Sequence, residues 1–299
     1  MLLVALLLCS LQLVEDDAKG QERNVLVTAK LGSGNEKKLK EFFASDFVVK
    51  EQGIVQKILS VSEGKDVPVV LGLFIQDDLV SQVNVELKGL KSFVLGLPKG
   101  SKVMVAYITS GALGIQTKFT EDLQAAADSI RILRGAPTGT PFNPYVPFLE
   151  GLRLFQEHSR ERKIAILISD GIDLARGIDQ AAPGLSLDLD RAIKEAQRRE
   201  VVVYTLYAPS GTGARLSNRA FSFGQGCLVK IAEETGGESF FSGLGFMTFA
   251  PHLSTIKGLL DRQWLITYRS DTPSGGFCRL DVDSETGLKI YKPAGYPKP

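Results

Sequence analysis

The sequence predicts an α/β protein with a mostly parallel central sheet and an additional small β domain. Residues 67–80, VPVVLGLFIQDDLV, and 163–171, KIAILISDG, are apolar runs that end in carboxylates. Such runs are typical of strands buried on both faces of a parallel sheet. Helical and strand patterns alternate between residues 67 and 262, which predicts three layers. The two ends of the chain carry only short β patterns.

The individual elements follow from local periodicity and turn residues. Three strands are predicted within residues 24–63, in NVLVTAKL, DFVVKEQG and IVQKILSVSE, and three after residue 262, in QWLITYRS, GFCRLDV and GLKIYKP. Central strands are predicted at 69–75, 102–109, 115–119, 163–168, 201–207 and 238–241. Helices are predicted at 83–95, 120–133, 148–158, 187–199, 226–235 and 249–260, with Thr120 as the N-cap of the second.

The short strands at the two ends of the chain are expected to pair with each other. Two separate β units would each leave an apolar face and unpaired edges exposed. The predicted organisation is therefore a signal peptide or N-terminal anchor at 1–20, N-terminal strands at 22–65, an inserted α/β domain at 67–262, and C-terminal strands at 263–299 that complete the β domain.

The composition and the first residues of the sequence restrict the class of partner and the cellular compartment that we expect. The formal net charge is +1 and no basic run is interleaved with aromatic residues, so no nucleic-acid partner is expected. The first 14 residues, MLLVALLLCSLQLV, are too short to span a bilayer and favour a signal peptide, although a basic start is missing. We therefore predict an exported protein, periplasmic or secreted, with no transmembrane span in the mature chain.

Alternatives at the N-terminus and at the cysteines stay open. The apolar start could instead be a buried strand or a retained anchor, and lipidation at Cys9 is disfavoured because leucines rather than a small residue precede it. Export would permit a disulfide between Cys227 and Cys278, with two buried free thiols as the alternative.

Several motifs then carry a family likeness. Most of residues 24–296 are spanned, in order, by SDFVVKEQGIVQKI, VVLGLFIQDD, FTEDLQAAADSIR, ILISDGID, AIKEAQRREVVVYTLYAP, GQGCLVKIAEETGGESFF and LLDRQWLITYRS. The central region resembles a von Willebrand factor type A domain, and the chain resembles bacterial exported proteins related to it. The resemblance implies a three-layer, Rossmann-like fold with a binding site at the carboxyl end of the sheet.

In that family the site holds a divalent cation through an Asp-x-Ser-x-Ser motif, a Thr and a second Asp. In this sequence Gln76 stands for the first Asp, Asp78 for the first Ser and Val80 for the second Ser, while Thr140 and Asp170 match the remaining ligands. Since Mg²⁺ needs near-ideal oxygen coordination, we predict a degenerate site without metal. Weak Mg²⁺ or Ca²⁺ binding by Asp78, Thr140 and Asp170 is the alternative.

The resemblance favours a non-enzymatic module that binds a protein or cell-envelope partner. No H-E-x-x-H, G-x-S-x-G or G-x-x-x-x-G-K motif occurs, and the two histidines, His158 and His252, lie near predicted helix ends. Cation-dependent adhesion is the second hypothesis and an uncharacterised enzyme the third. The hypothesised partner-binding rim comprises Asp77, Asp78, Thr140, Asp170 and Asp173, on loops at 77–81, 136–147, 171–186 and 209–223; Phe221 and Phe223 are expected in the last loop.

Overall fold

A computed structural model of the chain describes residues 20–29, 44–64, 67–109, 111–135, 143–157, 159–211, 217–243, 245–272, 275–285 and 290–298. The strands are β1 Gln21–Ala29, β2 Phe47–Glu51, β3 Ile54–Val55, β4 Lys57–Glu63, β5 Val69–Gln76, β6 Lys102–Thr109, β7 Ala112–Thr120, β8 Arg162–Ser169, β9 Val201–Tyr207, β10 Ser239–Phe240, β11 Gln263–Ser270, β12 Phe277–Ser284, β13 Ile290–Tyr291 and β14 Gly295–Pro297. The helices are α1 Val83–Leu95, α2 Leu123–Asp128, α3 Tyr145–Leu152, α4 Leu187–Arg198, α5 Asn218–Thr235 and α6 Ala250–Leu260.

The central sheet has six strands in the order β10-β9-β8-β5-β6-β7, and only β7 is antiparallel to its neighbour. One apolar core packs on the sheet face that α1, α2 and α6 cover, and a second on the face that α3, α4 and α5 cover. Every residue of β5 is buried. The predicted three-layer α/β fold with a mostly parallel sheet is thus confirmed.

The strands from the two ends of the chain pair with each other, as the predicted fold class requires. β1 pairs antiparallel with β11 from Gln21↔Ser270 to Thr28↔Gln263, inside a sheet of order β13-β1-β11-β4. A second antiparallel sheet has the order β14-β12-β2-β3, in which β2 from the N-terminal part pairs with β12 from the C-terminal part. A third apolar core lies between these strands.

Arg162, at the start of β8, joins the β domain to the central sheet. Its side chain is fully buried and donates to the carbonyl oxygens of Val67, at 2.8 Å, and Leu260, at 2.7 Å. It also donates to Oε1 of Gln263 at 3.2 Å. Burial lowers the pKa of Arg162 to about 10. In the part of the chain that the structure describes, the β domain therefore packs at the amino ends of the central strands and not at their carboxyl ends.

The second helix differs most from its prediction. β7 continues through Thr120, which pairs with Val103, so Thr120 is a strand residue and not an N-cap. Asp122 is the N-cap, and its carboxylate accepts from the Ala125 backbone N–H at 2.9 Å. The helix ends at Asp128, and the chain that follows is irregular because tertiary hydrogen bonds hold it, as described below.

Helix α5 begins earlier than predicted. Ser217 is its N-cap, so Phe221 and Phe223 lie in the first turns of a helix and not in a loop. Both rings are half-buried; Phe221 packs against one core and Phe223 against a small cluster around Ile172. Their expected position in a loop was therefore wrong.

Both described cysteines, Cys227 and Cys278, are buried free thiols, which is the alternative to the disulfide. No helix within the described parts of the chain is long and apolar enough to cross a membrane. Cys9, His158 and the predicted signal segment lie outside the described residues.

A buried carboxylate anchors the last strand of the β domain. Glu51, at the end of β2, is fully buried and accepts from the hydroxyls of Tyr268 at 2.8 Å and Ser270 at 2.7 Å. Thr272 and Tyr296 also donate to it. Burial alone would raise the pKa of Glu51, but these hydrogen bonds outweigh it and lower the pKa to about 2.

We expect Glu51→Gln to lower the free energy of unfolding by about 3 kcal/mol at pH 7, because the hydrogen bonds that lower the pKa of Glu51 to about 2 stabilise its charged form in the folded state by roughly that amount. The contribution is complete above the unfolded pKa near 4.5 and is lost as pH falls toward 2, so the difference from wild type should shrink below pH 4.5. Urea denaturation across this range measures it. Glu22→Gln, at an exposed position on β1, is the matched control; equal effects of the two substitutions would contradict the prediction.

Candidate functional site

The candidate site lies where two neighbouring strands of the central sheet end. β5 and β8 pair in parallel, with Ile75 opposite Ile168, so Gln76 and Ser169 end their strands side by side. Asp77 and Asp78 follow the first strand, and Asp170 follows the second. The structure thus brings three of the predicted rim residues to one edge, while Thr140 lies outside the described residues.

The amide of Gln76 occupies the centre of this edge. Gln76 is fully buried, and its Nε2 donates to Oδ1 of Asp78 at 2.7 Å. Its Oε1 accepts from the Ser169 hydroxyl at 2.6 Å and from the Asp170 backbone N–H at 3.1 Å. Gln76 therefore links the two strand ends by its own hydrogen bonds.

The remaining carboxyl groups, Asp78 and Asp170, lose their protons less readily than an ordinary aspartic acid. Burial raises the pKa of Asp170 to about 7, and the nearby charge of Asp78 adds to this. Hydrogen bonds from the Ile172 backbone N–H and from the Ser210 and Gln76 side chains act in the opposite direction. Burial also raises the pKa of Asp78. Ionisation of Asp78 therefore makes ionisation of Asp170 less favourable, because water screens their charges poorly in this buried region.

Two glycines permit the close contact of α5 with this strand end. A Cβ on Gly224 would lie 2.2 Å from the Asp170 carbonyl oxygen, and one on Gly171 would lie 2.4 Å from the Gly224 carbonyl oxygen. Gly171 also has a φ of +72°, which side chains rarely adopt. The backbone approach that these glycines allow keeps Asp170 buried.

Asp77 points away from the other carboxylates and pairs with Arg131. Its two carboxylate oxygens accept from Arg131 Nη1 and Nη2, each at 2.9 Å. Thr109 donates its hydroxyl at 3.1 Å, and the Arg134 backbone N–H donates at 2.8 Å. Burial would raise the pKa of Asp77, yet these donors and the charge of Arg131 lower it. Asp77 is thus a satisfied, ionised structural group.

The same interactions fix the irregular segment 129–135. The Tyr107 hydroxyl accepts from the Arg131 N–H at 2.9 Å and donates to the Arg131 carbonyl oxygen at 2.7 Å. The Arg131 guanidinium stacks over the Tyr107 ring at 3.8 Å. The Gly135 N–H donates to the carbonyl oxygen of Asp77 at 2.9 Å. Because its polar groups are bound in this way, the segment is ordered without being helical.

Asp173 does not join the site at the strand ends. Its carboxylate accepts from the Ala175 backbone N–H at 3.0 Å and from the Ser186 hydroxyl at 3.4 Å. Burial, and then the charge of Asp188, raise its pKa against these hydrogen bonds. Asp173 therefore shapes the loop that leads to α4.

Sequence reasoning missed Arg131 and Thr109, which bind Asp77, and Tyr107, which binds the Arg131 backbone. Arg131 was assigned to a helix, although an arginine between two isoleucines, in SIRILR, was a signal of a buried charged partner. Ser210 was also missed, because its contact with Asp170 depends on the loop after β9, which no local pattern connects to β8.

The residues present do not fit a cation site of the family type. Gln76 directs an N–H donor, and not an oxygen, toward Asp78, whereas Mg²⁺ and Ca²⁺ need oxygen ligands. Val80 offers no side-chain oxygen. Among the described residues, no group of three or more His, Cys, Asp or Glu side chains converges as a metal site requires. The absence of a functional metal stays a prediction.

The chain is similar in fold to von Willebrand factor type A proteins. Similar solved structures include an aerotolerance-related membrane protein from Bacteroides fragilis, 15% identical with a TM-score of 0.44 over 65% of this chain and 98% of that one. A von Willebrand factor type A protein from Catenulispora acidiphila is 11% identical, with a TM-score of 0.42 over 95% of this chain and 75% of that one. Manganese-loaded TRAP protein from Plasmodium vivax is 10% identical, with a TM-score of 0.43 over 82% of each chain.

Neither a protein-family model nor a curated protein matches the chain. At the identities of the solved structures, the likeness carries no residue role, ligand or partner to this chain.

The Asp77–Arg131 pair can be tested by a double-mutant cycle. Arg131→Met leaves a buried carboxylate without its cation, and we expect a loss of about 3–5 kcal/mol in the free energy of unfolding. Asp77→Asn combined with Arg131→Met should lose at least about 2 kcal/mol less than the sum of the single changes. Urea denaturation at pH 7 provides these values. The exposed pair Glu22 and Arg160 is the control, with an expected coupling below about 1 kcal/mol; additive effects at Asp77 and Arg131 would disprove the structural role.

The raised pKa of Asp170 predicts that its contribution to stability changes with pH in the direction opposite to that of Glu51. A carboxyl group whose pKa rises from 3.8 to about 7 on folding destabilises the folded state as pH increases through that interval, by at most about 4 kcal/mol. Asp170→Asn should therefore be more stable than wild type at pH 8 and nearly equal to it at pH 4. Thermal and urea unfolding at both pH values test this, with Asp122→Asn at an exposed N-cap as control. A wild-type advantage at pH 8 would contradict the prediction.

Proposed function

We propose that the chain is a protein-interaction module that binds its partner through the carboxyl edge of the central sheet without a metal ion. The observation that supports this most is the internal use of the strand-end carboxylates: Arg131 neutralises Asp77, and Gln76 connects Asp78 with Asp170. A site filled by the chain's own donors is suited to holding loops rather than to coordinating a cation.

The proposal assigns contact with the partner to the neighbours of the buried carboxylates. Asp77, Asp170 and Asp173 are each 5% exposed or less, so a partner would meet the loops that they hold. Four large apolar side chains are exposed near this edge: Val85, Ile132, Leu185 and Leu187. Because the β domain covers the amino edge, the carboxyl edge is the natural face for a partner. The apolar start of the sequence supports a partner in the cell envelope.

The proposal includes no catalytic step. The described cluster that comes nearest to an enzymatic constellation is Ser270, Lys298 and Glu51, in which Lys298 Nζ lies 2.8 Å from the Ser270 hydroxyl oxygen. Its side chains are buried and Tyr296 donates to the same carboxylate. This cluster is better explained as the anchor of β14.

Cation-dependent adhesion is the second candidate function. It is favoured by the proximity of Asp78 and Asp170. Burial and, in addition, the negative charge of Asp78 raise the pKa of Asp170, and a bound divalent cation would relieve the repulsion between the two carboxylates. Calorimetric titration with Mg²⁺, Mn²⁺ and Ca²⁺ separates the two candidates. Saturable binding that is lost in Asp170→Ala would favour adhesion through a metal.

Capture of envelope proteins from the native cell tests the leading proposal. We expect the immobilised wild-type chain to retain a partner in the presence of EDTA. Retention should fall at least tenfold either in Val85→Ser/Ile132→Ser or in Leu185→Ser/Leu187→Ser, because each pair removes apolar contact at the carboxyl edge.

The matched control is Leu95→Ser/Leu154→Ser, which alters two exposed leucines, at the end of α1 and just beyond α3. The same partners on this control and on both edge variants, or capture abolished by EDTA, would overturn the proposal.

A further inference from the structure

Val85 and Ile132 are the most exposed large hydrophobic side chains of the described residues, at 78% and 67%. They lie on adjoining segments, because the side-chain oxygen of Asn84 accepts from the Leu133 N–H at 2.9 Å. Leu133 itself packs against the core. Val85 and Ile132 are therefore each next in sequence to a residue of the hydrogen bond that joins α1 to segment 129–135.

The segment that carries Ile132 is rigid although it is irregular. The hydrogen bonds of Arg131, Arg134 and Gly135 to Asp77, and of Arg131 to Tyr107, fix its backbone on both sides of Ile132. An exposed apolar side chain on a fixed backbone loses little conformational entropy when it binds, so this surface is preorganised for association. The same geometry gives Ile132 no partner within the described chain that would bury it.

The charge beside this surface is basic. Arg131 is neutralised by Asp77, but the Arg134 side chain is exposed. Lys88 lies close to one helical turn after Val85 and is also exposed. The nearest acidic side chain of α1, Glu86, is occupied by the backbone N–H of Phe249 at 2.9 Å. An approaching carboxylate would thus meet the exposed cationic side chains of Arg134 and Lys88, while the carboxylate of Glu86 is held toward the Phe249 N–H.

We propose that Val85, Ile132 and Arg134 form a docking surface for an extended segment of a partner protein that places an apolar side chain beside an Asp or Glu. Val85 and Ile132 would receive the apolar side chain, and Arg134 the carboxylate. The inference rests on the proposed function and names the chemistry of the partner. A second copy of the chain is a poorer occupant, since two exposed side chains offer far less than the roughly 800 Å² per partner of a stable interface.

Selection from a display library of random decapeptides tests the proposal. The wild-type chain is the target, and Val85→Ser/Ile132→Ser is used for counter-selection. We expect enriched peptides to carry an apolar residue within three positions of Asp or Glu. Fluorescence polarisation should then give a Kd at least tenfold weaker for Ile132→Ser and for Arg134→Glu, and unchanged for Leu95→Ser/Leu154→Ser. A peptide with Lys in place of its acidic residue should recover binding to Arg134→Glu.

Several outcomes would overturn the docking surface: no enrichment, enrichment of basic peptides, or a dimer in sedimentation that Ile132→Ser abolishes. Circular dichroism and unfolding curves show whether each variant remains folded, as exposed positions should allow. If native capture depends on Leu185 and Leu187 but not on Val85 and Ile132, this inference fails while the proposed function stands. If no carboxyl-edge variant affects capture, the proposed function itself fails.

Discussion

The antiparallel ladder between β1 and β11 is the constraint on which the rest of the structure depends. It joins residues 21–28 to residues 263–270, so the whole α/β domain is inserted between two strands that must meet. Arg162 strengthens this junction because it bonds to the backbone on both sides of the inserted domain. Closure at the amino edge in turn determines which edge of the central sheet remains available for a partner.

At the open edge, electrostatic satisfaction decides what the carboxylates do. A buried charge is tolerated when it is paired and hydrogen-bonded. Asp77 meets this condition through Arg131 and so acts as an anchor for the backbone. Asp78 and Asp170 meet it only partly, since the Gln76 amide supplies neutral donors in place of a cation. One edge thus combines Asp77, whose charge is fully compensated, with Asp78 and Asp170, whose pKa values are raised.

In our proposal this edge binds a partner without a metal ion. Gln76 joins the two strand ends, because its amide both donates and accepts. The neighbouring Asp77 holds the segment that presents Ile132. In our proposal the interaction surface lies beside the strand-end carboxylates, where the apolar Val85 and Ile132 and the basic Arg134 are exposed.

The sequence by itself determined the layers, the central strands and α1. Buried parallel strands appear as continuous apolar runs, and an amphipathic helix repeats its apolar residues every three or four positions. It also located Gln76, Asp77, Asp78 and Asp170 at one sheet edge, since the ends of parallel strands coincide. It could not determine that Thr120 belongs to a strand or that residues 129–133 are not helical. Those outcomes depend on pairing with Val103 and on hydrogen bonds to Asp77 and Tyr107, which are distant in sequence. Only the tertiary structure decided that Asp77 anchors a loop, because its partner Arg131 lies 54 residues away along the chain.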